Sequence, residues 1–312
     1  MDKLTIIALV FILFSTVLLA QYPYLPENTY ELELVKFYLN RNEYDLAISV
    51  VDSLDFESAY QDSLQYFKAL AYIGKKEWNT ASDILANIIT KNKKHGLHVL
   101  ALKQYNQAIK KIEPTQAIEK ISSVISKTSS DSLSNDLLFL ISEIYEENNL
   151  YEEANDIYRS LLKDSVYTDS LKIVKKLAVN EIFLKDYSAA DKYLDRILAH
   201  PDSLYRKDAL FFSYIANYSL ENYEKAKNML IELYQNYPEH KEMKQILHSL
   251  AQIYEKEQQY LLSWYFWQKL HSLSAAEKQK QIGNKIEELR SKIDNSKQLP
   301  NQFKNLKPYW KK

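Results

Sequence analysis

Between Asn135 and Asp164 the apolar residues fall at helical intervals, twice over. Leu138, Ile141, Ile144 and Tyr145 lie three and four apart and make one helical face. Tyr151, Ala154, Ile157, Tyr158 and Leu161 make a second with the same spacing, and the polar run Glu-Glu-Asn-Asn separates the two. The pattern predicts two short amphipathic helices joined by a tight turn. It recurs along the chain, so it predicts an array in which each unit buries its apolar face against its neighbours.

Ala154 sets the register. Tyr151 stands three before it, Tyr145 nine before, Tyr158 four after and Leu161 seven after. The same anchor gives Ala47, Ala81, Ala117, Ala154, Ala190, Ala226 and Ser263, with gaps of 34, 36, 37, 36, 36 and 37 residues. Three before the anchor are Tyr44, Trp78, Pro114, Tyr151, Tyr187, Tyr223 and Tyr260. Four after are Val51, Leu85, Ile121, Tyr158, Leu194, Leu230 and Trp267; seven after are Leu54, Ile88, Val124, Leu161, Ile197, Leu233 and Leu270.

This pattern resembles the tetratricopeptide repeat (TPR), a helix–turn–helix unit of about 34 residues. The resemblance covers Tyr30 to Ser272. It implies an all-α fold, a right-handed superhelix (α-solenoid) of about seven repeats. In that family the small residue lets helix B approach helix A, and the aromatic before it wedges between them. The third unit departs, with Pro114 at the wedge position and Ala108 where an aromatic is usual. Pro238 alone matches the family's proline after helix B, and Pro201 comes one position early.

The array is predicted over residues 30–273. Asp-Ser-Leu recurs at Asp62, Asp131, Asp169 and Asp202, each before a helix A, where Asp or Ser caps free backbone N–H groups. After it, Ile282, Ile286, Leu289 and Ile293 predict a capping helix within 274–294. Residues 295–312 form a tail with five lysines and no acid, with Phe303, Tyr309 and Trp310 set among the lysines. This composition predicts a flexible segment able to touch membrane headgroups or cell-wall polymers, or to fold back into the binding groove.

Residues 1–20 pair a weakly positive start at Lys3 with an uncharged 17-residue run, Leu4 to Ala20. They predict a secretory signal peptide cut after Ala20, or an uncleaved signal anchor, followed by a leader over 21–29. Either places the repeats outside the cytoplasm, most simply in the periplasm, or there but held to the inner membrane. The chain has no cysteine, which excludes a lipoprotein anchor, disulfides and thiol catalysis.

Composition narrows the function further. Three glycines in 312 residues leave no phosphate-cradling GxGxxG or GxxxxGK[ST] loop. The net charge is −1, and removing the tail's +5 leaves the body at −6, which gives no nucleic-acid footprint. The six histidines, His95, His98, His200, His240, His248 and His271, form no metal-ligand or nucleophile–base pattern. No enzyme activity, cofactor or metal is expected.

Binding remains. The resemblance implies a concave groove lined by helix A through positions 2, 5, 9, 12 and 13 of each unit. Those positions hold Tyr66, Leu70 and Ile73 in the second unit, and Asp136, Phe139, Glu143, Glu146 and Glu147 in the fourth. In the fifth they hold Lys172, Lys175, Val179, Ile182 and Phe183, and in the sixth Asp208, Phe211, Ile215, Tyr218 and Ser219. The expected ligand is a peptide or partner protein meeting Tyr66, Phe139, Phe183, Phe211, Ile215 and Tyr218, beside an acidic cluster at Glu143, Glu146 and Glu147. A carboxylate clamp is not expected, because Val179 follows Lys175 where that clamp carries asparagine. The implied role is an extracytoplasmic scaffold in cell-envelope assembly or division. The competing role is a structural protein tied to membrane or wall by its N-terminal segment or tail.

Overall fold

The structure, a computed structural model, describes residues 30–54, 61–91, 96–163, 170–200 and 203–294. The leader, the basic tail, His95, Asp169, Pro201 and Asp202 lie outside those residues. Every described element is a helix. In chain order these are α1 Tyr30–Asn40, α2 Tyr44–Ser53, α3 Gln61–Gly74, α4 Trp78–Ile89, α5 Gly96–Ile109, α6 Pro114–Lys127 and α7 Asp131–Glu147. They continue as α8 Tyr151–Lys163, α9 Ser170–Phe183, α10 Tyr187–Leu198, α11 Arg206–Ser219, α12 Tyr223–Asn236, α13 Met243–Lys256, α14 Tyr260–Leu273 and α15 Ala276–Asp294. The chain divides into two compact units, one up to Leu150 holding α1–α7 and one from Tyr151 holding α8–α15.

Within each unit most sequential helices pack on one another, and alternate helices also touch: α1 on α3, α3 on α5, α9 on α11. This is the layering of a helical-repeat solenoid. Ala47, Ala81, Ala117, Ala154, Ala190, Ala226 and Ser263 are all buried completely or nearly so. A side chain of one carbon there lets two backbones come together. Ser263 keeps its hydroxyl satisfied by donating to the Ala251 carbonyl across the helix pair at 2.8 Å. The residues four after the anchor are buried in all seven repeats, Trp267 being the bulkiest.

One turn joins helix A to helix B in six repeats. Asn42, Lys76, Asn149, Lys185, Glu221 and Gln258 each have φ between 59° and 64°. Each stands five before the anchor. At the first, the Asn42 N–H bonds the Leu39 carbonyl at 3.0 Å and the Glu43 N–H bonds the Tyr38 carbonyl at 2.9 Å. The same pair of bonds closes the other five, and it is the Schellman C-cap, which usually places glycine at the left-handed residue. Here no repeat does. The third repeat has no left-handed residue. Pro114 takes the first position of α6, and the Glu113 carboxylate accepts from the Gln116 N–H at 3.1 Å.

The expected helix-A caps move at α7 and fail at α11, which starts at Arg206 with Tyr205 at its N-cap and no side-chain cap bond. Ser130, not Asp131, caps α7 by accepting from the Leu133 N–H. Asp62 and Asp131 sit in the first turns of α3 and α7, where the helix dipole favours an anion. The wedge aromatics also differ from expectation. They are half-buried or exposed, and their rings reach the end of the following repeat's helix A: Tyr44 lies on Gly74, Tyr151 stacks on Phe183, and Lys256 stands over Tyr223.

Polar groups are built into the contacts between repeats. Asn155 on α8 donates to the Glu181 carboxylate on α9 at 3.1 Å and accepts from Asn180 at 3.0 Å, while Arg159 reaches Glu181 at 2.8 Å. Burial pushes the Glu181 carboxyl up, and the Arg159 guanidinium opposes that. One repeat later Asp191 on α10 accepts from Asn217 on α11 at 2.6 Å and from Lys225 at 2.8 Å. Next, Lys227 on α12 pairs with Glu257 at 2.6 Å and lies over the Tyr254 ring. At the C-terminal end α15 buries Ile282, Ile286 and Leu289 in the cluster that holds Trp267 and Leu270.

Candidate protein-binding surface

Two of the residues expected to line a groove are core. Tyr66 is 1% exposed and Phe139 7%, so neither presents a ring to a ligand. Both occupy position 5 of their repeat, where the neighbouring helices approach closely enough to cover them. The acidic cluster on α7 is partly neutralised from α5. Lys110 bonds Glu143 at 2.9 Å and Glu147 at 3.2 Å. Burial pulls the Lys110 ammonium down, but the two carboxylates outweigh it and hold its pKa above the ordinary value. Glu146 is half-buried on the same helix.

In the C-terminal unit the expected residues stay accessible. Phe183 is 59% exposed, with one face covered by the Tyr151 ring at 4.8 Å between centroids. Lys175 is occupied, bonding Asp208 at 2.9 Å and lying over the Tyr205 ring. Phe211, Ile215 and Tyr218 are half-buried on α11. The Phe211 and Tyr218 rings belong to a row that runs through the buried Tyr214. Phe211 lies 6.0 Å from Tyr214, Tyr214 6.0 Å from Tyr218, and Tyr218 5.4 Å from Tyr223. His240 covers the near end of the row at 5.3 Å from Phe211, and the Lys256 ammonium stands over the far end, 5.5 Å from the Tyr218 ring. An aromatic row closed by a cation suits an extended segment with apolar side chains and an acidic group.

The structure adds a feature that the groove positions above do not include. A cavity of about 510 Å³ opens between α13, α14 and α15. Trp267, Leu270 and Ile282 form its apolar side, and Lys244, His248 and Lys278 its polar side. The Trp267 indole N–H is buried and has no acceptor among the described residues. His248 sits edge-on to Trp267 at 5.1 Å, and burial lowers its pKa. Extending the groove count to the seventh repeat reaches Gln245 and His248, at positions 2 and 5. The contribution of α15 carries no such signal, because the cap lies outside the repeat.

The histidines stay apart. His240 is buried and accepts from the Glu242 N–H at 3.1 Å, an end-of-helix role at the start of α13. Among the described residues no group of three or more His, Asp or Glu side chains is placed to hold a metal ion.

No protein-family model matches the sequence, and no curated protein matches it. Solved structures do. The C-terminal part of a TPR repeat-containing protein from Cytophaga hutchinsonii superposes with a TM-score of 0.56 at 16% identity, over 78% of this chain and 95% of that one. The apo form of RapI gives 0.53 at 16% identity, over 89% of this chain and 85% of that one. A signal-transduction ATPase with a tetratricopeptide-repeat sensor from Pyrococcus horikoshii gives 0.52 at 16% identity, over 83% of this chain and 43% of that one. Identity at this level speaks for fold, and it agrees with the buried anchors and the repeated turn: the chain has the tetratricopeptide-repeat fold.

Proposed function

We propose that the chain is a protein-binding scaffold that works outside the cytoplasm, in cell-envelope assembly or division, and that catalyses no reaction. The observation that carries this is the aromatic row on α11. Phe211 and Tyr218 are large apolar rings left half-open along one helix face, with Ile215 between them. The same side chains also pack against the next repeat, Phe211 on His240 and Tyr218 under Lys256, so a partner would meet their open edges. The apolar N-terminal run supports export, and the periplasm is the compartment that fits it best.

The test is a crosslinking pull-down with wild-type chain and with the Phe211→Ala, Tyr218→Ala double variant. Partner capture should fall in the variant while its melting temperature stays within a few degrees. A variant that melts early and captures partners normally would return both rings to the core. Mass spectrometry of the native protein should find Gln21 at the amino terminus. Met1 in the membrane fraction would instead favour the second reading, a structural protein anchored through its apolar N-terminal run, with the five lysines of the tail on an anionic surface.

A further inference from the structure

Six repeats carry an aromatic ring three residues before the anchor, and the structure shows where such a ring goes. It rests on the end of the following helix A, as Tyr44 does on Gly74. In the third repeat the place belongs to Pro114. Beside Pro114 lies an open cavity of about 450 Å³, walled by Pro114, Ile118, Tyr145 and Leu150. Its size falls in the ~300–1,000 Å³ range of ligand pockets. Leu150 is 42% exposed, an apolar side chain left open at the rim.

Two carboxylates also border the cavity, Glu113 and Glu119. Neither has a cationic partner among the described residues. Glu113 accepts from the Gln116 N–H and from Thr115, which holds its carboxyl below the usual range and keeps it anionic. The pocket therefore combines an apolar floor, the position of an absent aromatic wedge, and two negative charges with no cation paired to them among the described residues.

We propose that this pocket docks an aromatic side chain from a partner protein, supplied by a segment whose flanking lysine or arginine meets Glu113 and Glu119. The partner's ring completes the third wedge from outside. This site is separate from the row on α11 and adds a second point of contact to the scaffold reading on which it rests.

A synthetic peptide of residues 306–312 has the required chemistry, with Tyr309 and Trp310 next to each other among three lysines and no acid. Titrated into the full chain by calorimetry, it should bind, and added salt should weaken it. The peptide with Tyr309→Ala and Trp310→Ala should not bind. Glu113→Gln with Glu119→Gln should weaken binding roughly three- to tenfold, as expected for two exposed ion pairs. Pro114→Tyr, which supplies the missing ring, should abolish binding. If that variant does not fold, Ile118→Trp fills the same space from one turn further along α6. Binding that survives both filling variants, or no binding to wild type, overturns the proposal. So does tighter binding to a full chain carrying Tyr309→Ala and Trp310→Ala, because the chain's own tail would then be the occupant. Loss of partner capture by the Phe211 and Tyr218 variant is a separate result, so either site can fail alone.

Discussion

Gly74 is the seat of the Tyr44 ring: a Cβ built on Gly74 would stand 2.3 Å from both Cε1 and Cζ of Tyr44. The Tyr44 hydroxyl donates to Asn42 Oδ1 at 2.7 Å, a bond the ring would have to give up to retreat. Alanine is the better helix former by about 1 kcal/mol, yet Gly74→Ala should destabilise by about 1–3 kcal/mol through overpacking. Adding Tyr44→Ala should reverse the sign of the Gly74→Ala effect. A denaturant double-mutant cycle reads this coupling, and additive effects would mean the ring moves aside freely.

The left-handed turns make a second prediction. Lys76, Lys185, Glu221 and Gln258 hold a conformation that costs a residue with a Cβ roughly 1 kcal/mol. Replacing each with glycine should therefore stabilise, by several tenths of a kcal/mol after glycine's own entropy is counted. Asn42 and Asn149 should gain less, because asparagine tolerates this region. Ile112→Gly at the matching place in the third repeat should not stabilise, since its φ is not positive. Thermal melts of the single variants would separate the groups.

The polar contact between α8 and α9 predicts an order of effects. Asn155 is fully buried and bonds both Asn180 and Glu181. Asn155→Ala should cost about 1–3 kcal/mol, because it leaves buried groups without partners. Arg159 is about half exposed, with 45% of its side chain accessible, and Arg159→Ala should cost less, about 1 kcal/mol or below. If Arg159→Ala is the more damaging change, the charge rather than the amide holds Glu181.

Acid should weaken the fold. Burial lowers the pKa of His98, His240 and His248 below the ordinary value of 6.5. In the window just below that value the unfolded chain binds more protons than the folded one. Stability contributed by the neutral rings is therefore present above it and lost as pH falls through the folded pKa values. Denaturant midpoints taken from about pH 7.5 to 5.5 should fall, and His248→Gln should make the decline shallower. A midpoint independent of pH over that range would contradict the burial of these rings.

How much of this the chain announces depends on what decides it. The anchors are legible because a one-carbon side chain at the closest approach of two helices is required in every repeat, so Ala47 to Ser263 recur at nearly constant spacing. The fates of Tyr66 and Phe211 are not legible by the same rule. Both stand fifteen before their anchor, and one is core while the other is half-open. Position along a helix fixes which side a residue faces, but the distance to the next helix depends on side chains some thirty residues away. The cavity at Trp267 escapes for a related reason, since part of its wall comes from α15, which follows no repeat.

The polar contacts between repeats have a consequence for how this chain came to be the length it is. Copying the fifth repeat, α9 with α10, would set Asp191 and Asp195 of the first copy against the buried Glu181 of the second. Three carboxylates would then share a site now balanced by Asn217 and Lys225. Deleting it would bring Arg159 against Lys225 in the place of Asp195, with only Asp156 left beside Arg159. Repeats with interchangeable faces can be inserted or lost by a single recombination, but the three seams between α8 and α13 are each keyed to one neighbour. The order of the repeats is therefore inherited as a whole, and a change in their number would require matching substitutions on both sides of the new seam.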